Sequence, residues 1–184
     1  GSVGEPTKLL ELDAAITDRH RTRTLLLLGY PYENTLLISI GSSCDVCHEK
    51  GEMRGRILAY DIKTGELVEY ARGLRNAVFM TLNPVNGFVF MTEMGRDGLG
   101  DTIPPDEVNI LEEGKNYGWP ICYGNNIHDA DFDKKQYIRD PCADMTPPHI
   151  PLQAHSAALG LGFIPEDPPA QAGVFEKGDE GAVI

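Results

Sequence analysis

Short strand-like runs separated by turn residues make up most of the chain, and long amphipathic helical periodicity is hard to find. Glycine, proline and asparagine stand between several of the runs, as in the turn at 83–87. This pattern predicts β-strands joined by turns. Residues 7–16 instead predict one short helix or an outer strand. The predicted strands cover residues 24–28, 35–40, 56–62, 66–72, 77–82 and 88–92.

The predicted strands repeat in units of about four. Pro31 and Pro84 lie in matching turns, and Gly41 and Gly95 end matching apolar runs. A repeating unit of four short strands is typical of one blade of a β-propeller.

The rest of the chain predicts an insertion and the beginning of another unit. Residues 120–151 are polar and rich in Asp, Pro and Asn, which predicts a long loop insertion. A third unit is predicted to begin at 159–165 and to resume at 181–184. Two blades and part of a third cannot close into a ring. We therefore expect residues 1–184 to form a partial all-β propeller domain, either a fragment of a longer protein or a ring completed by a second copy.

Composition agrees with strands and turns and excludes some classes of function. The 184 residues include 20 Gly and 13 Pro, which favours many short strands over a helix bundle. With 16 Lys and Arg against 28 Asp and Glu, the formal charge is −12. This charge argues against nucleic-acid binding and against a polybasic membrane anchor. No apolar run approaches the length of a membrane-spanning helix.

The four cysteines leave their redox state open. Cys44, Cys47 and His48 fit the C-x-x-C-H pattern of c-type haem attachment. The surroundings do not predict a cytochrome domain, so a loop disulfide or free thiols are favoured over haem. Cys122 and Cys142 complete an even number, which is compatible with two disulfides or with reduced thiols.

Polar residues just before predicted strands are candidates for a functional site. Arg75 and Asn76 open a strand, where a planar guanidinium can grip a carboxylate, although a solvated turn is the alternative. His20 precedes the first apolar run and is either a general base or a solvated loop residue. His155 has the same place relative to the third unit.

One glycine-rich segment is a candidate for metal binding. Residues 95–101 combine glycines with two aspartates, and such an oxygen-rich loop suits Ca²⁺. A plain turn is the alternative interpretation. Trp119 lies between Gly118 and Pro120, and its expected role is packing.

In this order and spacing, these motifs resemble the soluble quinoprotein glucose/sorbosone dehydrogenases, most of all their sorbosone-dehydrogenase-like branch. The resemblance covers about residues 18–165. It implies a six-bladed β-propeller that uses pyrroloquinoline quinone (PQQ) and calcium, of which this chain would hold roughly two to three blades. The segments that carry it are residues 20–23, 41–44, 73–76, 95–101, 104–107, 117–120 and 155–160.

The resemblance also implies roles for single residues. His20 matches the family's catalytic base, which takes the proton from a sugar hydroxyl while hydride passes to the quinone. Arg75 and Asn76 match the pair that binds the cofactor. Gly95 and Arg96 match the positions whose backbone carbonyls hold the cofactor's calcium.

Further positions follow from the resemblance in the same way. Asp106, Glu107 and Tyr117 match a region associated with calcium in some members, and His155 matches a position near the substrate mouth and is expected to contact the cofactor. The family also implies a loop disulfide that pairs the cysteines flanking residues 123–141. Such a disulfide suits a periplasmic or secreted protein.

The sequence therefore predicts part of a PQQ- and calcium-dependent dehydrogenase of aldose- or sorbosone-type sugars. Its expected partners are a sugar substrate, an external electron acceptor and, as an alternative to further blades in the same chain, copies of itself that complete the propeller, with no nucleic acid and no membrane span. The fragment alone is expected to be inactive. The alternatives are a non-catalytic binding propeller, a calcium-dependent lactone hydrolase on the same fold, and a c-type haem protein.

Overall fold

The first four strands form one antiparallel sheet. The computed structural model describes residues 4–12, 19–29 and 31–164. The sheet has the order β1-β2-β3-β4, so each strand pairs with the next one in the chain. These four strands confirm the predicted first unit to within a residue or two at their ends. They are β1 (Leu25–Leu27), β2 (Thr35–Ile40), β3 (Arg56–Asp61) and β4 (Leu67–Arg72).

The second sheet repeats this arrangement with an interruption. Its first strands are β5 (Ala77–Leu82), β6 (Val89–Glu93) and β7 (Glu107–Leu111). The chain then forms a hairpin of β8 (Cys122–Tyr123) and β9 (Ile127–His128) before β10 (Ile150–Pro151) pairs with β7. The sheet order is β10-β7-β6-β5. The segment predicted as a loop insertion, 120–151, thus contains the hairpin and the fourth strand.

The core lies between the two sheets. Leu37 and Ile57 of the first sheet and Met91 of the second are fully buried in one cluster. The alternation of side chains along each strand puts one apolar face of each sheet toward this cluster. Burial of each such side chain contributes about 1.5–3 kcal/mol. The sheets are also joined directly, because the Ser39 hydroxyl donates to the carbonyl of Ala77.

The described part of the N-terminal segment, residues 7–12, does not form the predicted element. Residues 7–12 are neither helix nor strand, and the rest of the predicted segment, 13–16, lies outside the described residues. Leu10 and Leu12 pack against the other face of the first sheet, beside Ile38 and Leu58. Apolar contact with an existing sheet replaces the local backbone hydrogen bonds of a helix here.

The third unit is described only at its start. Residues 159–164 include no named strand, and the predicted continuation at 181–184 lies outside the described residues. The described part of the chain contains no helix that could span a lipid bilayer.

The antiparallel register brings three loops to one edge of the two sheets. At that edge Ile40 pairs with Arg56 and Arg56 with Arg72, while in the second sheet Glu93 pairs with both Ala77 and Glu107. Loops 41–55, 73–76 and 94–106 therefore lie together, and we call this the site edge. Four of the polar residues singled out in the sequence lie in these loops: Arg75, Asn76, Arg96 and Asp106.

Candidate functional site

His20 and Asn76 lie on either side of Gly41 at the site edge. A Cβ atom added to Gly41 would be 2.6 Å from the His20 Cβ and 2.8 Å from the Asn76 Oδ1. The two residues are 56 positions apart in the chain and meet because a glycine leaves room between them. Glycine is required here by this close approach rather than by backbone conformation.

Replacing Gly41 by alanine is expected to lower the free energy of unfolding by about 1–3 kcal/mol, because the new methyl group forces His20 and Asn76 apart. Gly51→Ala is the matched control, since a Cβ at Gly51 meets nothing within 4 Å. Denaturant unfolding of the two variants measures the difference. Equal stability of both variants would contradict the close approach.

The hydrogen bonds of His20 define its tautomer. Its Nδ1 lies 3.1 Å from the carbonyl oxygen and 2.9 Å from the hydroxyl oxygen of Ser42. That hydroxyl donates its own proton to the carbonyl of Cys44 at 2.6 Å. Nδ1 must therefore carry the proton and donate it to Ser42, which leaves Nε2 as the basic nitrogen.

The surroundings of His20 favour its neutral form. Burial lowers its pKa below the ordinary value, and the positive charges of Arg75 and Arg19 lower it further. The contact with the Ser42 carbonyl and the charge of Asp45 act in the opposite direction. The net effect is a histidine whose Nε2 is unprotonated around neutral pH.

Arg75 is buried beside His20 and held by Asp45. Its Nη2 donates to the Asp45 Oδ1 at 2.6 Å, and its Nε donates to the same oxygen at 3.1 Å and to the Asp45 carbonyl at 3.0 Å. Burial disfavours the charged form of Asp45, but hydrogen bonds from the Asp97 N–H and from Arg75 outweigh it, so its pKa is lowered. The pair is an ion pair at neutral pH.

Glu93 fixes the backbone of the Arg75–Asn76 pair. Its Oε1 accepts the N–H of Arg75 at 2.6 Å and the N–H of Asn76 at 2.9 Å. Glu93 is the last residue of β6 and is buried, and burial raises its pKa to about 8. A carboxyl group in the core is costly, and here it holds the two residues that the sequence singled out.

Buried oxygen atoms without partners lie next to Glu93. Glu107 pairs with Glu93 across the sheet, and burial raises the pKa of Glu107 to about 7. Glu93 Oε2 and Asn109 Oδ1 are buried and have no hydrogen-bond partner among the described residues. Such oxygens cost free energy unless a cation or a donor is supplied. A cation or a hydrogen-bond donor would therefore satisfy Glu93 and Asn109, whereas the two Glu107 oxygens already accept hydrogen bonds from Asn109 and from the Gly124 N–H.

Tyr117 and Asp106, which the family resemblance also placed near calcium, make other contacts. The Tyr117 hydroxyl donates to the Ile110 carbonyl at 2.6 Å and accepts the Glu112 N–H at 3.0 Å. Asp106 accepts the Gly95 N–H at 2.8 Å on one oxygen and the Ala157 N–H at 2.6 Å on the other. Asp106 thus ties the glycine-rich loop to the segment that carries His155.

His155 lies over the glycine-rich loop. Its Nε2 donates to the Gly100 carbonyl at 2.8 Å, and its backbone has a φ of 60°. Ala157 also has a positive φ, 53°, and two such residues close together are typical of functional loops. Arg96, in the same loop, forms a two-pronged ion pair with the buried Asp129, at 2.5 and 3.0 Å.

Both cysteine pairs are oxidised. Cys44 is bonded to Cys47 and Cys122 to Cys142, as the family resemblance implied for the second pair. The C-x-x-C sulfurs are therefore not available for thioether bonds to haem. The His48 ring packs against Phe132, with ring centroids 5.2 Å apart.

Four residues of this site were not found from the sequence. They are Asp45, Glu93, Asn109 and Asp129. Two carried a signal that could have been read: Glu93 ends an otherwise apolar strand, and Asn109 follows Glu107 by two positions in a buried strand, so both point to the same face. The hydrogen bonds that join Asp45 to Arg75 and Asp129 to Arg96 span 30 and 33 positions, and no local pattern reveals these two pairings.

Comparison with known proteins decides the family. The sequence model of the family described as Glucose / Sorbosone dehydrogenase matches residues 62–167, which is more than half of the chain. The chain belongs to this family.

Two relatives share sequence with this glucose/sorbosone dehydrogenase family member. It is 32% identical over 133 residues to the pyrroloquinoline quinone-dependent sugar dehydrogenase of Hypocrea jecorina, covering 56% of this chain and 30% of that protein. It is 35% identical over 132 residues to an uncharacterized protein of Borreliella burgdorferi, covering 71% of this chain and 34% of that protein. The chain spans about a third of the length of these relatives.

A solved structure supports the fold. The calcium structure of the Trichoderma reesei Carbohydrate-Active Enzymes Family AA12 protein is 26% identical, with a TM-score of 0.65 over 80% of this chain and 47% of that one. The predicted family and the partial propeller fold of this family member are thus confirmed. The sorbosone-like branch stays a prediction.

Proposed function

We propose that this chain forms part of a PQQ- and calcium-dependent sugar dehydrogenase, with His20 as the base and Arg75 and Asn76 as cofactor-binding residues. The observation that carries the proposal is that His20 and Asn76 meet at Gly41, while the charge of the neighbouring Arg75 acts on His20, although these residues come from two different loops. Two segments that are more than 50 positions apart, and that both match one family's site, therefore meet at one point. A surface turn with a solvated arginine does not explain this, because Arg75 is buried.

The described residues fit both groups that the family implies. PQQ is an anion, and Arg75 and Arg19 are cations beside His20 in a chain whose formal charge is −12. Calcium takes oxygen ligands, and the unpartnered oxygens of Glu93 and Asn109 lie beside Glu107. We assign quinone binding to Arg75 and Asn76, with His155 as a further contact.

Calcium binding is assigned to two groups of oxygens. The carbonyls of Gly95 and Arg96 would face the cofactor's ion, as the family resemblance implies. Glu107 and its neighbours would hold an ion within the sheet. Tyr117 is assigned to the same region on the family resemblance alone, because its hydroxyl is already bonded to Ile110 and Glu112. Asp106 supports these residues through its hydrogen bond to Gly95.

The chain's own residues then prepare one proton transfer. His20 Nε2 accepts the proton of the sugar hydroxyl, while Ser42 holds the protonated Nδ1 and fixes the ring. Bound PQQ with calcium would supply a two-electron acceptor for the hydride, which leaves the carbon that bears this hydroxyl. For an aldose, loss of this proton and hydride gives the lactone. An external electron acceptor would take up the two electrons of this oxidation and so complete the turnover.

The remaining blades are assigned to the rest of a longer protein or to a second copy of the chain. Leu25 and Leu27 of the edge strand β1 are 58% and 54% exposed, as expected for a surface that another blade covers. The two disulfides support a periplasmic or secreted location.

A dye-reduction assay tests the proposed activity. The full-length protein that contains this chain is reconstituted with PQQ and Ca²⁺ and supplied with aldoses and an artificial electron acceptor. We expect sugar-dependent dye reduction that requires PQQ. Binding of PQQ without turnover would indicate a binding propeller, and lactone hydrolysis that needs calcium but no quinone would indicate the hydrolase.

The pH dependence of that activity is expected to follow His20. Because burial and Arg75 lower the pKa of His20, its basic form persists to lower pH. The acid limb of the kcat/KM profile should therefore have its midpoint below 6.5, the ordinary value for histidine. An acid-limb midpoint above pH 6.5, or an unchanged pH profile in His20→Gln, would contradict the assignment of His20 as the base.

Calcium is expected to stabilise the chain through Glu107. At a concentration about 100 times its dissociation constant, a bound ion stabilises a protein by about 2.7 kcal/mol. Thermal unfolding with and without Ca²⁺ measures this gain in stability. We expect the wild type and the exposed control Glu66→Gln to show the gain and Glu107→Gln to lack it. An equal gain in all three would place the ion elsewhere.

A further inference from the structure

Asp45, in the loop closed by the Cys44–Cys47 disulfide, forms hydrogen bonds with Arg75 and Trp119. The Asp45 carboxylate accepts two hydrogen bonds from Arg75, and the Asp45 carbonyl accepts one more from Arg75 and one from the Trp119 Nε1 at 3.2 Å. Asp45 also accepts the Asp97 N–H at 3.0 Å. One residue of this small loop therefore joins loops 73–76 and 94–106 of the site edge and the segment that carries Trp119.

The conformation of this loop is constrained by the disulfide and by a hydrogen bond from Ser42. The disulfide joins residues only three positions apart, so it constrains the local backbone around Asp45 more than the fold as a whole. The Ser42 hydroxyl, which receives the His20 hydrogen bond, donates to the carbonyl of Cys44. The base and the arginine are thus attached to the same loop.

We propose that Asp45, held in place by the Cys44–Cys47 loop, positions the Arg75 guanidinium to bind the anionic quinone. This inference rests on the proposed function, in which Arg75 binds the cofactor. On this proposal the C-x-x-C motif serves to position Asp45, and not to attach haem or to stabilise the fold as a whole.

The geometry explains why Arg75 needs such a partner. A guanidinium has five N–H donors on a long, flexible side chain. Hydrogen bonds to Asp45 and to the Met94 carbonyl engage its Nε, Nη1 and Nη2 and leave two N–H groups for a ligand. A side chain fixed in advance loses less conformational entropy on binding. Asp97 and Arg19 are the other charged groups close to this pair.

Quinone titration of variants tests the proposal. PQQ is titrated into the chain with Ca²⁺ present, and binding is followed by absorption. We expect Asp45→Ala to weaken binding about 10- to 100-fold and Asp45→Asn, which keeps one acceptor oxygen, to weaken it less. The control is Asp61→Ala, because the Asp61 carboxylate also accepts backbone N–H groups but lies at the opposite end of β3. This control should bind as the wild type does.

A double-variant cycle separates positioning from general damage. If Asp45 acts through Arg75, the Asp45→Ala change should have no further effect on quinone affinity in an Arg75→Lys background. Additive losses would overturn the proposal. The Cys44→Ser/Cys47→Ser variant should also weaken binding and shift the fluorescence of Trp119, the single tryptophan of the chain. Thermal unfolding of each variant identifies any that fail to fold.

The outcomes for the two ideas are distinguishable. A wild-type chain that does not bind PQQ would overturn the proposed function, and this inference with it. A wild type that binds, with Asp45→Ala binding equally well or more tightly, would leave the proposed function standing and show that Asp45 competes with the quinone for Arg75.

Discussion

Replacing Arg75 by alanine is expected to weaken quinone binding at least about 30-fold. The variant removes a buried cation that would pair with an anionic ligand, and the loss of such a partner costs about 2–5 kcal/mol. This corresponds to a roughly 30-fold to several-thousandfold weaker affinity. The variant should also be less stable, because Asp45 then keeps a half-buried charge without its main partner. Calorimetric or absorption titration with PQQ measures the first effect and denaturant unfolding the second.

Arg72→Ala is the matched control for this prediction. Arg72 lies three residues earlier, but its side chain is 52% exposed and its ion pair with Glu69 is at the surface. Removing a surface ion pair costs little, so both affinity and stability should stay close to those of the wild type. A folded Arg75→Ala variant that binds PQQ as tightly as Arg72→Ala would contradict the assignment of Arg75.

Glu93→Ala is expected to have the largest effect on the architecture of the site. It leaves the N–H groups of Arg75 and Asn76 without their acceptor in a buried environment. Each unsatisfied buried donor costs about 1–3 kcal/mol, so the loss of two acceptors should lower the free energy of unfolding by about 2–6 kcal/mol. Quinone affinity should fall as well, since both binding residues depend on this backbone. Denaturant unfolding and PQQ titration measure the two effects.

The conservative variant distinguishes this role from simple packing. Glu93→Gln keeps an oxygen that can accept both N–H groups and should recover most of the stability and of the affinity. If Glu93→Gln and Glu93→Ala lose the same amount, the two hydrogen bonds are not what Glu93 contributes.

The strands were predictable because their signal is local. Each run in the first unit and in β5 and β6 is apolar or alternating and is bounded by turn residues, and the strand ends agree within a residue or two. The last strand of the second sheet, β10, has two residues and contains Pro151, so it has no pattern of its own. Only its pairing with β7 makes it a strand.

The residues of the site that lie in recognisable motifs could be predicted from the sequence, but the contacts that support them could not. His20, Arg75 and Asn76 could be recognised from their place before strands and from their resemblance to a family. The partners that determine their chemistry are distant in sequence: Glu93 contacts Arg75 across 18 positions and Asp45 contacts it across 30. Such contacts depend on the stacking of two sheets, which no single segment encodes.

The most direct test of the account is an absorption titration of the purified chain with PQQ, with and without Ca²⁺. Convergence of His20, Arg75 and Asn76 at one edge predicts one-to-one binding that is strengthened by calcium. A chain that is folded, with both disulfides formed, and that shows no spectral change with PQQ at any calcium concentration would contradict the claim that this edge is a quinone site.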